Sequence, residues 1–193
     1  MIIMGLDPSQ STGWSRYDTG KDASAIEAGV LKAVGDDYEH KAAELGYRLV
    51  KLIKERKPDF VAVEMPIRSM PARQVRKVKF MGEETVEESS GSGLNAVISS
   101  NQMVGAVSAV IGAYGVPFIT VAPVTWRKAF LGFGTMKGWQ RKDWKKAVRA
   151  KCDSLKIIVT NDDMADAVGI AYAAKGSDAF RWIEAQAKSR QAA

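Results

Sequence analysis

Cysteine and histidine are almost missing from this 193-residue chain, which holds one of each, Cys152 and His40. A lone cysteine excludes an internal disulfide framework and a cysteine-pair zinc site, and Cys152 reads as a small half-buried side chain without chemistry of its own. His40 lies in the charged first turn of a helix and reads as a solvated side chain, not a catalytic base. Long uncharged apolar runs able to span a bilayer are also missing, so no membrane partner is expected. The apolar start Ile2-Ile3-Met4-Gly5-Leu6 is too short for a signal peptide and has no basic leader, which leaves a cytoplasmic protein as the expectation. Repeats and internal linkers are lacking too, and the length suits one domain over residues 1–193.

What is abundant is positive charge. The net charge is +6 and the pI about 9.4, and the cations are clustered. Nine Lys or Arg residues lie between Arg127 and Lys151 against the single acid Asp143, and five lie between Arg68 and Lys79 with no acid. One such patch is most simply a solvated helix face. Two of them suit a polyanion, and point to nucleic acid.

Along the chain, residues 2–6 read as a buried strand ending in the Asp7-Pro8-Ser9 turn. Strands over Gly13 to Tyr17 and Ala25 to Ala33 would complete an antiparallel meander. Asp36 or Asp37 caps a helix with Ala42, Leu45, Leu49, Leu52 and Ile53 at helical spacing, ended by Pro58. Phe60-Val61-Ala62-Val63 is a second buried strand, and the helical crossover favours its parallel pairing with the first. From about 66 to 94 no periodic apolar face is visible, and the segment reads as a long mobile loop. A well-buried helix from Asn95 to Tyr114, a strand from Pro117 to Val121 and a short helix from Pro123 to Gly132 follow. Then come a basic helix over Gln140 to Lys151, a possible extended segment at Ile157 to Val159, a helix from Asp163 to about Ala174, and a last helix capped by Asp178. The fold class expected is α/β, a mixed five-stranded sheet flanked by helices.

That architecture makes four acids conspicuous. A carboxylate at the end of a buried strand is costly without a partner, which applies to Asp7 and to Glu64. Parallel neighbours would bring both to one sheet edge, where ligands of α/β sheets bind. Asp163 and Asp166 are three apart on the first turn of a helix and share a face. Together the four could form a hard-oxygen cage for Mg2+ or Mn2+ and cut a phosphodiester bond. Each also has a plainer reading: Asp7 could fix the Pro8-Ser9 turn, Glu64 could pair with a core arginine, and Asp162 or Asp163 could cap a helix.

Gly5-Leu6-Asp7-Pro8-Ser9 with Thr12-Gly13-Trp14, then Val63-Glu64, then Asp163-Met164-Ala165-Asp166-Ala167, resemble the motifs of the RuvC family of Holliday junction resolvases. The resemblance runs through most of the chain in the family's order. It implies an RNase H-like fold, a homodimer, two Mg2+ ions replaceable by Mn2+, and paired nicks across a four-way DNA junction. It further implies that Asp7 bridges both ions, that Glu64 and Asp163 each complete one shell, and that Asp166 supports the site at the first strand. The longer segment after Glu64 looks more like phage-encoded relatives, so a phage-infected host is as suitable a setting as a bacterial cell.

The DNA-binding residues expected on this basis are Arg68, Arg73, Arg76, Lys77, Lys79, Phe80, Arg127, Lys128, Lys137 and Lys142. Phe80 reads either as a wedge entering the junction or as a buried anchor. Trp144 shares a helical face with Ala147 and Val148 and reads as core, while Trp139 is open to either reading. Two rival substrates fit the same metals and fold, RNA:DNA hybrids and branched DNA such as forks or flaps. A phosphate loop like that of actin-like ATPases is also resembled by Asp7-Pro8-Ser9 to Thr12-Gly13, but 193 residues leave no room for the second domain those proteins need. A DNA-binding protein without catalysis is the remaining alternative.

Overall fold

In the computed structural model the residues described are 1–68 and 93–190, together with the backbone of 74–80, 83–89 and 191–192. Three strands open the chain, β1 (Ile2–Asp7), β2 (Ser11–Asp18) and β3 (Glu27–Lys32), followed by α1 (Tyr38–Glu55) and β4 (Phe60–Glu64). A hairpin of β5 (Gln74–Phe80) and β6 (Glu83–Ser89) precedes α2 (Leu94–Ala113), β7 (Phe118–Val121), α3 (Pro123–Leu131) and α4 (Arg141–Ser154). The last elements are α5 (Asp162–Lys175) and α6 (Asp178–Ala192).

The main sheet is mixed and five-stranded, in the order β3-β2-β1-β4-β7. β1, β2 and β3 pair antiparallel, while β4 pairs parallel to both β1 and β7. The expected fold class is therefore present. β1 lies in the middle of the sheet, so its side chains alternate between two covered faces. Ile3 packs with Phe60, Ala62, Trp126 and the apolar residues of α5, whereas Met4 and Leu6 pack with Val61, Val63 and the buried sides of α1 and α2. By the same alternation the last residues of β1 and β4, Asp7 and Glu64, face the α5 side.

Small residues let α5 lie almost backbone to backbone on β1 and β2. A Cβ placed on Gly5 would stand 2.7 Å from the Ala171 amide nitrogen, and one on Gly13 would strike the Asp163 carbonyl. Ser15 Oγ donates to the Ala167 carbonyl at 2.8 Å, a buried tie between β2 and α5. The helix begins one residue earlier than its sequence suggests. Asn161, not an aspartate, is its N-cap, accepting from the Met164 amide at 2.9 Å.

Four expectations need correction. The chain from about 66 to 94 contains the β5–β6 hairpin, not loop throughout. Its backbone register sets Arg76 opposite Glu87 and Lys79 opposite Glu84, and its charged composition leaves no apolar alternation to mark it in the sequence. Ile157 to Val159 forms no strand; it is a turn-and-coil connection in which Ile157 alone is buried. The helix α2 is buried along one side only, through Met103, Val104, Val107 and Ile111, with Leu94 and Ile98 exposed. It also carries no charged residue and is long and apolar enough to cross a membrane by length and composition, against the expectation from the sequence. Packing against α1 accounts for its apolar side.

Candidate active site

The turn after β1 is held without Asp7. Thr12 Oγ1 donates to the Ser9 carbonyl at 2.7 Å and accepts from the Ser9 amide at 3.1 Å, and Ser9 Oγ accepts from the Ser11 amide at 3.0 Å. The turn explanation for Asp7 thereby falls away. Glu64 accepts from the Trp126 indole Nε1 at 3.4 Å, and among the described residues no Lys or Arg pairs with it. Leu6 and Val63 are partners in the parallel ladder, so the next residue on each strand emerges at the same edge. There each carboxyl raises the cost of ionising the other.

Asp7 keeps some surface at the cleft, but protein atoms crowd its carboxyl. Burial, then the hydrogen bond and charge of Glu64, then the charge of Asp163 push its pKa well above the usual carboxylate range, against the pull of Lys145. Asp166, buried on the second turn of α5, is raised to about 6 by burial and by Asp7, with Lys145 opposing. Lys145 Nζ lies 2.8 Å from Asp166 Oδ2, the two side chains being 18% and 10% exposed. Burial alone would lower the Lys145 ammonium, but the charge and hydrogen bond of Asp166 outweigh it and the net shift is upward.

Asp7, Glu64 and Asp166 line one cleft of about 970 Å³, together with Arg68, Arg127, Arg141, Trp144 and Lys145. Asp163 lines a second cleft of about 980 Å³ between α4 and the start of α5, beside Lys142, Lys146 and Arg149. Lys145 borders both. Among the described residues no three Asp, Glu, His or Cys side chains stand close enough to hold one ion. The expected cluster is thus present as a pair, Asp7 with Glu64, flanked by Asp166 on its lysine and by Asp163 across that lysine.

Of the expected DNA contacts, Arg68 and Arg127 are in the first cleft and Lys142 in the second. Lys128 and Lys137 are exposed and line neither. Arg73 lies outside the described residues, as do the side chains of Arg76, Lys77, Lys79 and Phe80. Arg127 stacks over two indoles, 5.2 Å from the Trp126 ring and 5.0 Å from that of Trp144. Trp139 and Trp144, 4.9 Å apart, form a half-buried group with Phe133. Cys152 is buried, and its thiol is pushed up to about 12 by burial, in keeping with no chemistry there. Lys145 was not expected at the site. Its signal is a lysine at i, i+3, i+7 spacing with Val148 and Cys152, on the buried stripe of an otherwise basic helix.

No family model matches the sequence. The chain is 29% identical over 177 residues to the crossover junction endodeoxyribonuclease RuvC of Orientia tsutsugamushi (strain Ikeda), covering 90% of this chain and 94% of the relative. The same-named protein of Rickettsia conorii is 28% identical over 177 residues, with 89% and 95% covered. Among solved structures, Thermus thermophilus RuvC in complex with a Holliday junction substrate superposes with a TM-score of 0.63 at 19% identity, covering 90% of this chain and 92% of that one. The yeast mitochondrial Holliday junction resolvase gives 0.51 at 12% identity, with 89% and 77% covered. The chain is thus similar in sequence to RuvC Holliday junction resolvases over about nine-tenths of its length, and it shares their fold.

Proposed function

We propose that the protein is a metal-dependent DNA endonuclease that resolves Holliday junctions by paired nicks, leaving 5'-phosphate and 3'-hydroxyl ends. The observation that carries this is the pairing of Asp7 and Glu64 at one sheet edge of a basic cleft, two crowded carboxyls with which no Lys or Arg among the described residues forms an ion pair. Carboxylates crowd together at low cost only when cations neutralise them. The donor set is entirely hard oxygen, which fits Mg2+, with Mn2+ as its substitute. Asp7, Glu64, Asp163 and Asp166 would hold two ions, which when bound activate water and stabilise the departing oxyanion.

The chain's own residues do the rest. Trp126 fixes the Glu64 carboxylate through its indole N–H. Arg127, immobilised between two indole rings, offers a guanidinium for a phosphate at the cleft, and Arg68 and Arg141 extend that positive surface. Cations of the β5–β6 hairpin and Lys128, Lys137 and Lys142 would follow the junction arms. A homodimer, which paired nicks require, is part of the proposal, and the exposed apolar residues Leu94 and Ile98 of α2 support it. A cytoplasmic setting is proposed with it.

Asp7→Asn is expected to abolish Mg2+-dependent cleavage of a synthetic four-way junction while leaving junction binding largely intact. Wild-type activity in that variant would remove Asp7 from the site. A panel of junction, fork, flap, RNA:DNA hybrid and duplex substrates decides the substrate, and faster cutting of forks, flaps or hybrids would replace the junction in this reading.

A further inference from the structure

Lys145 occupies an unusual place for a cation on a basic helix. It points inward from α4, along the stripe of Val148 and Cys152, and its ammonium rests 2.8 Å from Asp166 Oδ2. The charges of Asp7 and Asp162 act on it as well. It is also a wall shared by two clefts, with Asp7, Glu64 and Asp166 on one side and Asp163 on the other. In this arrangement no three of the acids reach one point. A divalent ion on Asp166 Oδ2 must take the place of the Lys145 ammonium, and that ammonium borders both the cleft of Asp7 and the cleft of Asp163.

We propose that Lys145 is a tethered counter-cation that competes with divalent metal for the acidic site and must leave Asp166 before Asp163 can join Asp7. This rests on the metal-dependent reading above and adds an internal competitor to it. The physical basis is that like-charged buried carboxyls need a cation, and one carried on a flexible four-carbon stem is always available. Lysine suits the role better than arginine, since a compact point charge can withdraw along its own stem toward solvent. The displaced ammonium moves into the second cleft, where the acids Asp153 and Asp162 can receive it. Lys145 is therefore a positioning residue that sets how readily the site loads.

The test is Mn2+ binding to the DNA-free protein, read by calorimetry, alongside thermal unfolding in a chelator. The chains compared are wild type, Asp7→Asn, Asp166→Asn, Lys145→Met and Lys145→Met/Asp166→Asn. If the lysine-bound arrangement is populated at about 90% or more, its removal raises the apparent Mn2+ affinity about ten-fold or more. Lys145→Met is thus expected to bind Mn2+ at least about ten-fold more tightly than wild type and to unfold at lower temperature in chelator, because Asp166 is left buried without a partner. The double variant is expected to recover the chelator melting temperature and lose the tightening. A merely structural lysine would not tighten metal binding on removal, since damage to a site weakens it. Unchanged or weaker Mn2+ binding by a folded Lys145→Met chain overturns the proposal. If Lys145→Met does not fold, the double variant decides: a melting temperature close to that of Asp166→Asn alone supports an Asp166-specific role, and a large further loss overturns it. Wild-type Mn2+ binding that survives Asp7→Asn sinks the metal site itself, a separate outcome from failure of the lysine's role.

Discussion

At the residue scale the site is a store of destabilising charge. Asp7 is held beside Glu64 with its pKa raised, so the folded state is penalised for every proton it gives up at neutral pH. In the presence of a chelator, Asp7→Asn is expected to raise the melting temperature, by about 2–4 °C if the relief is about 1 kcal/mol, and differential scanning calorimetry would show it. The same variant should lose most of the stabilisation that added Mg2+ gives to wild type. A second residue-scale expectation concerns Gly13, whose missing Cβ lets the Asp163 carbonyl approach β2. Gly13→Ala should cost about 1–3 kcal/mol by overpacking, and any folded fraction should cut junctions poorly because α5 has been pushed off the sheet. Near-normal stability with near-normal cutting would show that the helix is not seated by that contact.

At the scale of elements, α5 and the β5–β6 hairpin teach opposite lessons about reading a sequence. Asp7 and Glu64 were legible because four apolar residues before each acid announce a buried strand, and a strand end is where a carboxylate needs explaining. Asp163 and Asp166 were legible from their spacing, but not the fact that they look into different clefts, since that depends on how α4 lies against α5. Lys145 escaped notice because it sits in a run of cations, where one inward-facing lysine looks like its neighbours. The hairpin escaped because its two strands are rich in charged residues and show no periodic apolar face. Two measurements belong here. Asn161→Ala should remove the α5 cap and lower stability by about 1 kcal/mol in urea unfolding. Replacing Arg76, Lys77 and Lys79 together with Gln should weaken junction binding and flatten its salt dependence by up to about three units of log–log slope, about 0.9 for each phosphate no longer neutralised. An unchanged slope would take the hairpin out of the DNA interface.

For the whole molecule, the mixed sheet explains why distant stretches of sequence share one site, as β1 runs between β2 and β4 while α5 covers it from the far end of the chain. The net charge of +6 favours encounter with DNA of any form, so selectivity must come from shape and from the copy number of the site. If two copies join through α2, Ile98→Glu should shift the mass measured by light scattering from dimer to monomer while leaving the far-UV spectrum unchanged. A chain that remains dimeric would assign the pairing to another surface. The seating of α5 on β1 has a last consequence, in the order of synthesis. Asp163 and Asp166 leave the ribosome more than 150 residues after Asp7. Until then the α5 side of the sheet lacks its cover, and half the acids do not yet exist. A partly made chain that stops short of α5 can therefore be basic enough to touch nucleic acid while lacking half of the proposed site, so under the proposed function cutting waits for that helix.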